Sequence, residues 1–306
     1  MRWLVTGAAG MLGRDTVEEL LRRGAEVTAL GRADLDITEP GAIRRAFADH
    51  RPDLVVNCAA YTAVDDAETD EARALRVNGD GPRLLARACA AHGARLVHVS
   101  TDYVFSGEAL HRALGSARAG GTPITPYSED HPPAPRTAYG RTKLAGERAV
   151  LDELPGAGAI VRTAWLYGAH GRSFVRTMLE LEARRDTLDV VDDQRGQPTW
   201  SADVAARIAD LGARMGRDEG AHGVFHATSS GEASWYELAQ EVFRQVGADP
   251  ARVRPTSSGA FSRPAPRPAY SVLAHGRWRE IGLAPPRHWR SALHEALPHI
   301  RKEMSQ

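Results

Sequence analysis

A tyrosine and a lysine four positions apart, Tyr139 and Lys143, are the residues of this chain best suited to proton transfer. On a helix they would share one face. Thr101 comes just after an apolar run that predicts a buried strand. A phenol has a reference pKa of about 10, which a neighbouring ammonium lowers. The pattern predicts Tyr139 as a general acid or base assisted by Lys143, with Thr101 bonding a reacting carbonyl oxygen. The alternative is an exposed tyrosine beside a solvated lysine.

Three glycines with GxxGxxG spacing follow a short apolar run, residues 3–5, at the start of the chain. They are Gly7, Gly10 and Gly13, with Met11 and Leu12 between the last two. A helical pattern of apolar residues comes next. Strand, glycine turn and helix together are typical of a dinucleotide pyrophosphate site, in which the helix N-terminus faces the anion. The alternative is an ordinary turn from strand to helix.

Strand and helix patterns alternate through the first half of the chain. The predicted strands are Trp3–Val5, Val27–Leu30, Leu54–Cys58, Arg95–Ser100 and Ala159–Thr163. Residues 72–92 are predicted to hold one or two helices, and 138–153 a further helix. Such alternation predicts an α/β fold, a Rossmann doubly wound parallel sheet with a smaller C-terminal α/β substrate domain. We expect an NAD(P)-binding domain at 1–165, a return segment near 200–228, and the substrate domain at 166–306.

Composition excludes several classes of protein. The formal net charge is zero, so no field favours nucleic acid or an anionic membrane surface. No apolar run approaches the ~18–20 residues that span a bilayer. Cys58 and Cys89 lack metal-ligand or CxxC spacing, which favours reduced thiols in a cytoplasmic protein. Twelve scattered histidines are interpreted as surface or packing residues.

The motifs resemble the extended short-chain dehydrogenase/reductase family and, within it, the dTDP-4-dehydrorhamnose reductases, over nearly the whole chain. The segments that carry the resemblance are VVNCAAYTAVD (55–65), VSTDYVF (99–105), YGRTKLAGE (139–147), RTAWLY (162–167), DQRGQPT (193–199) and RPAYS (267–271). The resemblance implies NADPH-dependent reduction of the C4 ketone of a dTDP-linked 6-deoxy-4-keto-L-sugar, by a monomer or homodimer.

The resemblance also implies residue roles. Cys58, Ala59 and Ala60 would line the cofactor, which Tyr139 and Lys143 would also contact, and Asn78 would support a proton relay. The substrate would meet Thr101, Asp102, Tyr103, Tyr139 and Trp165. A core tryptophan is the alternative for Trp165.

Rival activities are separated by few residues. The related 4,6-dehydratases carry a glutamate where this chain has Tyr103, so elimination would lack its base. Epimerases, and reductases of another nucleotide sugar, share the tyrosine and lysine and stay open as alternatives. A non-catalytic regulatory subunit of the same fold is the third alternative, against which Thr101, Tyr139 and Lys143 argue.

Cofactor choice depends on the end of the second predicted strand. Arg32 could pair with a 2′-phosphate, whereas an acidic residue there would bind the ribose diol. Asp36 and Ile37 fit a pair that contacts adenine. NADPH is therefore favoured over NADH. Asp15 could help to bind Mg²⁺, although an ordinary helix face explains it equally well.

One long irregular segment, Ser106–Pro135, precedes Tyr139 and is rich in Gly, Ala and Pro. Irregular loops of this length are usually functional lids or mobile segments. The resemblance implies a shorter connection, so residues 108–122 look inserted. We expect them to be mobile and to act as a lid or partner surface.

Overall fold

The computed structural model describes residues 1–108, 125–217 and 220–305. In this part of the chain a central sheet of six parallel strands has the order β2-β1-β3-β4-β5-β10. The strands are β1 Arg2–Thr6, β2 Glu26–Leu30, β3 Leu54–Asn57, β4 Arg95–Thr101, β5 Gly158–Thr163, β6 Leu166–Tyr167, β7 Leu188–Val191, β8 Arg195–Gly196, β9 Thr199–Trp200, β10 Gly223–His226, β11 Ala233–Ser234 and β12 Val253–Thr256. The predicted α/β fold class is confirmed.

Helices connect the strands and cover both faces of this sheet. They are α1 Met11–Arg22, α2 Pro40–His50, α3 Val64–Ala67, α4 Glu71–Leu75, α5 Gly81–His92, α6 Ala138–Glu153, α7 Phe174–Glu182, α8 Ser201–Gly216, α9 Trp235–Gln245, α10 Gly276–Glu280 and α11 Trp289–Met304. Helix α6 has the bounds predicted from the sequence. The residue before it, Thr137, caps the helix: its hydroxyl accepts the N–H of Gly140 at 3.0 Å and so satisfies one free helix donor.

Alternation along β1 divides the core into two layers, since successive strand residues point to opposite faces. Trp3 and Val5 pack with α1 and α8, in a cluster that includes Ile208 and Phe225. Leu4 faces the other way and packs with α2, α5 and α6. The sheet is therefore buried on both sides, as its apolar strands require.

A second hydrophobic cluster lies among α7, α9 and α11, with Phe243, Trp289 and Leu293 fully buried at its centre. Short pairs, β6 with β9, β7 with β12 and β8 with β11, lie in the same part of the molecule. Helix α8 and strand β10 then return to the central sheet, where β10 pairs with β5. The domain limits proposed from the sequence stay a prediction.

Two differences from the sequence reading concern local geometry. The one or two helices expected over 72–92 are two, α4 and α5, and the π-helical turn that joins them, Arg76–Asp80, was not predicted. The short strands β6–β9, β11 and β12 were not predicted; four of them, β6, β8, β9 and β11, are only two residues long and show no period.

The long segment before α6 is described only at its ends. Residues 109–124 lie outside the described residues, so the lid predicted for 108–122 stays a prediction. Beyond them, Tyr127 is buried and its ring stacks on Phe105, with centroids 4.4 Å apart. In the described residues no helix is long and apolar enough to cross a membrane.

Candidate active site

A cavity of about 1290 Å³ runs along the carboxyl ends of the central strands. This is the edge at which parallel α/β sheets bind their ligands. With the exception of Asn78, it brings together every cofactor, substrate and catalytic residue predicted from the sequence. The lining includes Gly7, Gly10, Met11, Leu12, Gly13, Arg32, Asp36, Ile37, Cys58, Ala59, Ala60, Thr101, Asp102, Tyr103, Tyr139, Lys143 and Trp165.

The glycine turn closes tightly over the end of β3. Gly7 has φ +65°, and a Cβ there would lie 2.6 Å from the amide nitrogen of Ala59. At Gly13 a Cβ would lie 2.2 Å from the carbonyl oxygen of Gly7. Gly10 is the N-cap residue of α1 and has no side chain that could accept a hydrogen bond from the helix. The first backbone N–H groups of α1 are therefore available to a ligand in the cavity. This cradle fits a pyrophosphate group.

A basic residue is exposed beside the cradle, at the end of β2. Arg32 lines the cavity and makes no hydrogen bond or ion pair with a described residue. The nearby carboxylates are occupied: Asp34 accepts the N–H of Gly31 at 2.9 Å, and Asp36 accepts both donors of Thr38. The backbone N–H of Thr38 is the main reason that the pKa of Asp36 is lowered. The guanidinium is thus free to meet an anion.

Tyr139, on the first turn of α6, meets Thr101 at the end of β4. The ring of Tyr103 lies edge-on to Tyr139, with centroids 5.6 Å apart. Burial, followed by the charge of Asp102, raises the pKa of Tyr139 to about 12, and a hydrogen bond with Thr101 offsets only part of this. The sequence reading expected Lys143 to lower this pKa. In the structure the surrounding groups keep Tyr139 protonated, the form of a general acid.

Lys143 lies one turn further along α6 and is 2% exposed. Its Nζ donates to the carbonyl oxygen of Val99 at 2.7 Å and lies 3.3 Å from Nε2 of His98. Burial lowers the pKa of Lys143 to about 8, although Glu147 and Cys58 act in the opposite direction. The lysine is therefore fixed in place by the strand that carries Thr101.

Asp102 is a buried carboxyl next to Thr101 and near Tyr139. Its Oδ1 accepts the hydroxyl proton of Thr101 at 2.9 Å, and the backbone N–H of Tyr103 donates to that same hydroxyl oxygen at 3.2 Å. Burial raises the pKa of Asp102 to about 6, and the hydroxyls of Ser271 and Thr101 offset only part of this shift. Among the described residues Oδ2 of Asp102 has no hydrogen-bond partner. To bond a substrate oxygen, the Thr101 proton must turn away from Asp102.

The other end of the cavity is aromatic. The indoles of Trp165 and Trp235 stack with centroids 3.5 Å apart and planes at 5°. Trp165 has φ +47°, a conformation that is rare for a bulky residue. Phe174 completes the wall, with its ring 4.7 Å from that of Trp235. Trp235 was missed from the sequence, where nothing in its neighbourhood marks it as facing a site.

Arginines dominate the charged lining. The cavity is lined by Arg32, Arg73, Arg76, Arg172, Arg263 and Arg267, against Asp36, Asp102 and Asp189. Guanidinium groups bind phosphate oxygens in pairs, so this excess suits an anionic ligand.

Asn78 stands apart from the cavity. Its side-chain oxygen accepts the N–H of Tyr61 at 2.9 Å, and its amide donates to the Tyr61 carbonyl at 3.0 Å and to Thr142 at 3.2 Å. The side chain holds the loop after β3 against α6. Its predicted part in a proton relay stays a prediction.

Asp15 lies beside Glu18 and His170, and their ligand atoms are within 4.8 Å of one another. Burial raises the pKa of Asp15, and a hydrogen bond with Ser201 acts against this shift. Neither the structure nor the relatives described below support Mg²⁺ at this position.

A family model described as the RmlD substrate binding domain matches residues 1–302. The chain belongs to the dTDP-4-dehydrorhamnose reductase family. It thereby has the extended short-chain dehydrogenase/reductase fold that its motifs predicted.

Relatives align with nearly the whole chain. A probable dTDP-4,6-dihydroxy-2-methyloxan-3-one 4-ketoreductase of Streptomyces antibioticus is 61% identical, over 98% of this chain and 96% of that protein. A dTDP-4-dehydrorhamnose reductase of Streptomyces griseus is 59% identical, over 97% of this chain and 93% of its own length. A crystal structure of a dTDP-4-dehydrorhamnose reductase from Bacillus anthracis in complex with NADP superposes with a TM-score of 0.87, at 36% identity, over 97% of this chain and 98% of that one.

Proposed function

We propose that this protein reduces the C4 ketone of a dTDP-4-keto-6-deoxy-L-sugar with NADPH, converting dTDP-4-dehydro-L-rhamnose to dTDP-L-rhamnose. One observation carries the proposal: a single cavity joins the glycine cradle to Thr101, Tyr139 and Lys143, and continues to an aromatic wall. NADPH supplies the hydride when it is bound. The matched relatives with this activity in their names support the choice of substrate.

The residues of this chain supply the proton and the alignment. Tyr139, protonated because its pKa is raised, gives its proton to the carbonyl oxygen as the hydride arrives. Thr101 donates to the same oxygen and orients the ketone. Lys143 lies on the same face of α6 as Tyr139, where its nitrogen can contact the cofactor and stabilise negative charge on the phenol oxygen.

The cofactor fits the groups at the other end of the cavity. A Cβ atom added at Gly7 or Gly13 would occupy space in the cradle. These positions therefore suit a backbone that approaches a ligand closely. Arg32, which is exposed and makes no hydrogen bond or ion pair with a described residue, would meet the 2′-phosphate that distinguishes NADPH from NADH. The NADP complex of the B. anthracis relative supports this preference.

A second candidate is the reduction of a different dTDP-linked keto sugar. The S. antibioticus relative is named as a 4-ketoreductase of another substrate, and it is as similar to this chain as the dehydrorhamnose reductase of S. griseus. The Trp165–Trp235 wall is the part of the cavity that would discriminate between such sugars.

Both candidates are tested by supplying a panel of dTDP-4-keto sugars and following the consumption of NADPH by its absorbance at about 340 nm. We expect dTDP-4-dehydro-L-rhamnose to give the highest kcat/KM, and NMR of the product to show an L-rhamno alcohol. A higher kcat/KM for another sugar would transfer the assignment to it. Oxidation of NADPH with none of them would contradict the proposal.

A further inference from the structure

Phe261 exposes an aromatic ring to the active-site cavity. Among the described residues four large apolar side chains are exposed, and Phe261, at 47%, is the aromatic one. The other three, Met1, Leu21 and Leu75, do not line the cavity, whereas Phe261 does. Single apolar side chains are common on protein surfaces, so exposure alone indicates little. An exposed ring in the wall of a ligand cavity, however, is suited to stack on a flat group of the ligand.

The backbone that carries Phe261 is held by one carboxylate. The N–H of Ser258 lies 3.0 and 2.9 Å from the two carboxylate oxygens of Asp193, and the Ser258 hydroxyl donates to Oδ2 at 2.9 Å. A 3₁₀ turn covers Ser258–Ala260, and the N–H of Phe261 donates to the carbonyl oxygen of Ser258 at 3.0 Å. The ring is therefore attached to a turn that is fixed by hydrogen bonds.

Residues 192–194 connect this turn to the aromatic wall. The N–H of Asp192 donates to the carbonyl oxygen of Thr256 at 2.9 Å, at the end of the pairing of β7 with β12. Oε1 of Gln194 accepts the indole N–H of Trp235 at 3.2 Å. Phe261 and the tryptophan stack thus belong to one connected surface. We call the part of the cavity on the Phe261 side the outer arm; it is lined by Asp189, Val190, Val191, Gln194, Ser258 and Phe261.

The outer arm and the glycine cradle are built from different elements. The cradle is formed by the end of β1, the end of β3 and the start of α1, all within the six-stranded sheet and its first helix. The arm is formed by β7, β12 and the residues that follow them, none of which belongs to that sheet. With NADPH in the cradle, the outer arm is left to the substrate.

Arg263, two residues after Phe261, adds a cation to the cavity lining. Its side chain is 57% exposed, and its Nη1 lies 3.6 Å from Oδ2 of Asp65. That carboxylate already accepts two N–H groups of Arg267, at 2.9 and 2.7 Å, and the N–H of Ala265 at 3.1 Å. Because Arg267 neutralises Asp65, Arg263 keeps its charge and most of its five donors for a ligand.

A flat ring and a guanidinium two residues apart match the two chemical parts of a nucleoside diphosphate. Aromatic side chains stack on nucleobases, and guanidinium groups bind phosphate oxygens in pairs. We propose that Phe261 and Arg263 form the nucleotide subsite for the substrate, with the phenyl ring against the pyrimidine base and the guanidinium on the diphosphate. This proposal rests on the proposed function, because it takes the substrate to be a dTDP-linked sugar.

The subsite would act on every dTDP-linked sugar alike, since it binds the part of the substrate that does not react. Its loss should raise the KM of all such substrates by a similar factor and leave kcat nearly unchanged. Discrimination between keto sugars would then stay with the wall formed by Trp165 and Trp235.

The nucleotide dTDP by itself tests the subsite without turnover. Its Kd is measured by isothermal titration calorimetry on the full-length protein with saturating NADP⁺, which occupies the cradle and keeps dTDP out of it. We expect Phe261→Ala to raise this Kd by ~5–100-fold, as the loss of one base–aromatic stack does, and Phe261→Tyr to restore wild-type binding. Leu21→Ala also removes an exposed apolar side chain, but outside the cavity, and should leave the Kd unchanged.

Arg263→Gln separates the phosphate contact from the base contact. We expect the Kd for dTDP to rise about tenfold, and the Kd for dTMP, which has one phosphate fewer, to rise less. Binding of dTDP to this variant should also depend less on salt concentration. Arg254→Gln, at an exposed position of β12 outside the cavity, is the matched control. Since Phe261 and Arg263 are both exposed, the variants should fold, and an unchanged Tm verifies this.

The proton signal of the thymine methyl group reports stacking directly, because an aromatic ring lying over it shifts the signal upfield. We expect this shift with wild-type protein and with Arg263→Gln, and its loss with Phe261→Ala. An unchanged Kd for dTDP in either folded variant, Phe261→Ala or Arg263→Gln, would overturn the proposal, as would wild-type protein that does not bind dTDP. The proposed function fails separately, if dTDP binds as expected but no dTDP-4-keto sugar causes NADPH to be consumed.

Discussion

Asp65 and Arg267, 202 positions apart in the chain, form a two-pronged ion pair at the edge of the active-site cavity. The Arg267 guanidinium nitrogens lie 2.9 and 2.7 Å from the two carboxylate oxygens, and the backbone N–H of Ala265 donates to the same carboxylate at 3.1 Å. The pair ties a C-terminal segment to the loop that follows β3. The position of the C-terminal segment at the cavity therefore depends on its contact with the loop after β3.

Replacing Arg267 by Met should raise the KM for the sugar nucleotide. Loss of a charged hydrogen bond costs about 1.5–3 kcal/mol, of which we expect a part to appear as a ~5–30-fold rise in KM. Arg252→Met is the control. Arg252 forms an ion pair with Glu182 at a distance of 2.8 Å, and neither residue lines the cavity. Steady-state kinetics check the difference, and equal KM values for the two variants would show that the pair does not shape the site.

Tyr139→Phe should nearly abolish reduction while NADPH still binds. In the proposed mechanism the phenol proton is the one that reaches the carbonyl oxygen, and general acid catalysis contributes ~10²–10⁴-fold to the rate. The loss should fall on kcat, with the NADPH Kd measured separately by fluorescence titration. A variant that keeps more than about a tenth of the wild-type kcat would rule out Tyr139 as the acid.

Arg32→Ala should weaken the binding of NADPH much more than the binding of NADH. A charge-assisted contact to phosphate contributes about 1.5–3 kcal/mol, equivalent to ~10–100-fold in Kd. Arg45→Ala, at an exposed position of α2 outside the cavity, is the matched control. An equal rise in Kd for NADPH and NADH would show that Arg32 does not contact the 2′-phosphate.

Gly196→Ala should disturb the aromatic wall. A Cβ at this position would lie 2.5 Å from Cε2 of the Trp165 ring, which is held between Gly196 and Trp235. Overpacking of this kind costs about 1–3 kcal/mol, and the displaced indole should raise the substrate KM with little change in NADPH binding. Gly41→Ala is the control. Its new methyl group would meet only the flexible ends of arginine side chains, at 3.6 Å or more, so the Tm of this variant should not fall.

Asp102→Asn should stabilise the protein more at pH 7 than at pH 4. The folded-state pKa of Asp102 is raised to about 6, so between the unfolded and folded pKa values the native state holds more protons, and stability falls as the pH rises. The amide removes this loss, and the gain should grow by roughly 2–3 kcal/mol across that range. Urea unfolding at both pH values measures it, and a constant difference would mean that the pKa of Asp102 is not raised in the folded protein.

Much of the fold was readable because its signals are local. The parallel strands are apolar runs buried on both faces, and α6 combines a Thr137 cap with a clear start before Tyr139. The glycine cradle was readable for the same reason, since tight turns permit few residue types.

What escaped the sequence reading depends on contacts between distant segments. Trp235 reaches the cavity only because α9 packs against α7, and nothing in its own neighbourhood indicates this. His98 was interpreted as a surface or packing residue. A polar side chain three positions before Thr101, inside an otherwise apolar strand, was the available signal, but its meaning required Asn57 and Lys143 to be placed in space.

The stacked indoles of Trp165 and Trp235 make the active site optically distinctive. Two transition dipoles in nearly parallel rings, with centroids 3.5 Å apart, couple as an exciton pair. Any ligand that separates or tilts the rings changes that coupling, whatever its own absorbance. Near-ultraviolet circular dichroism of the unlabelled protein should therefore report the arrival of a sugar nucleotide directly, without a reaction and without a dye.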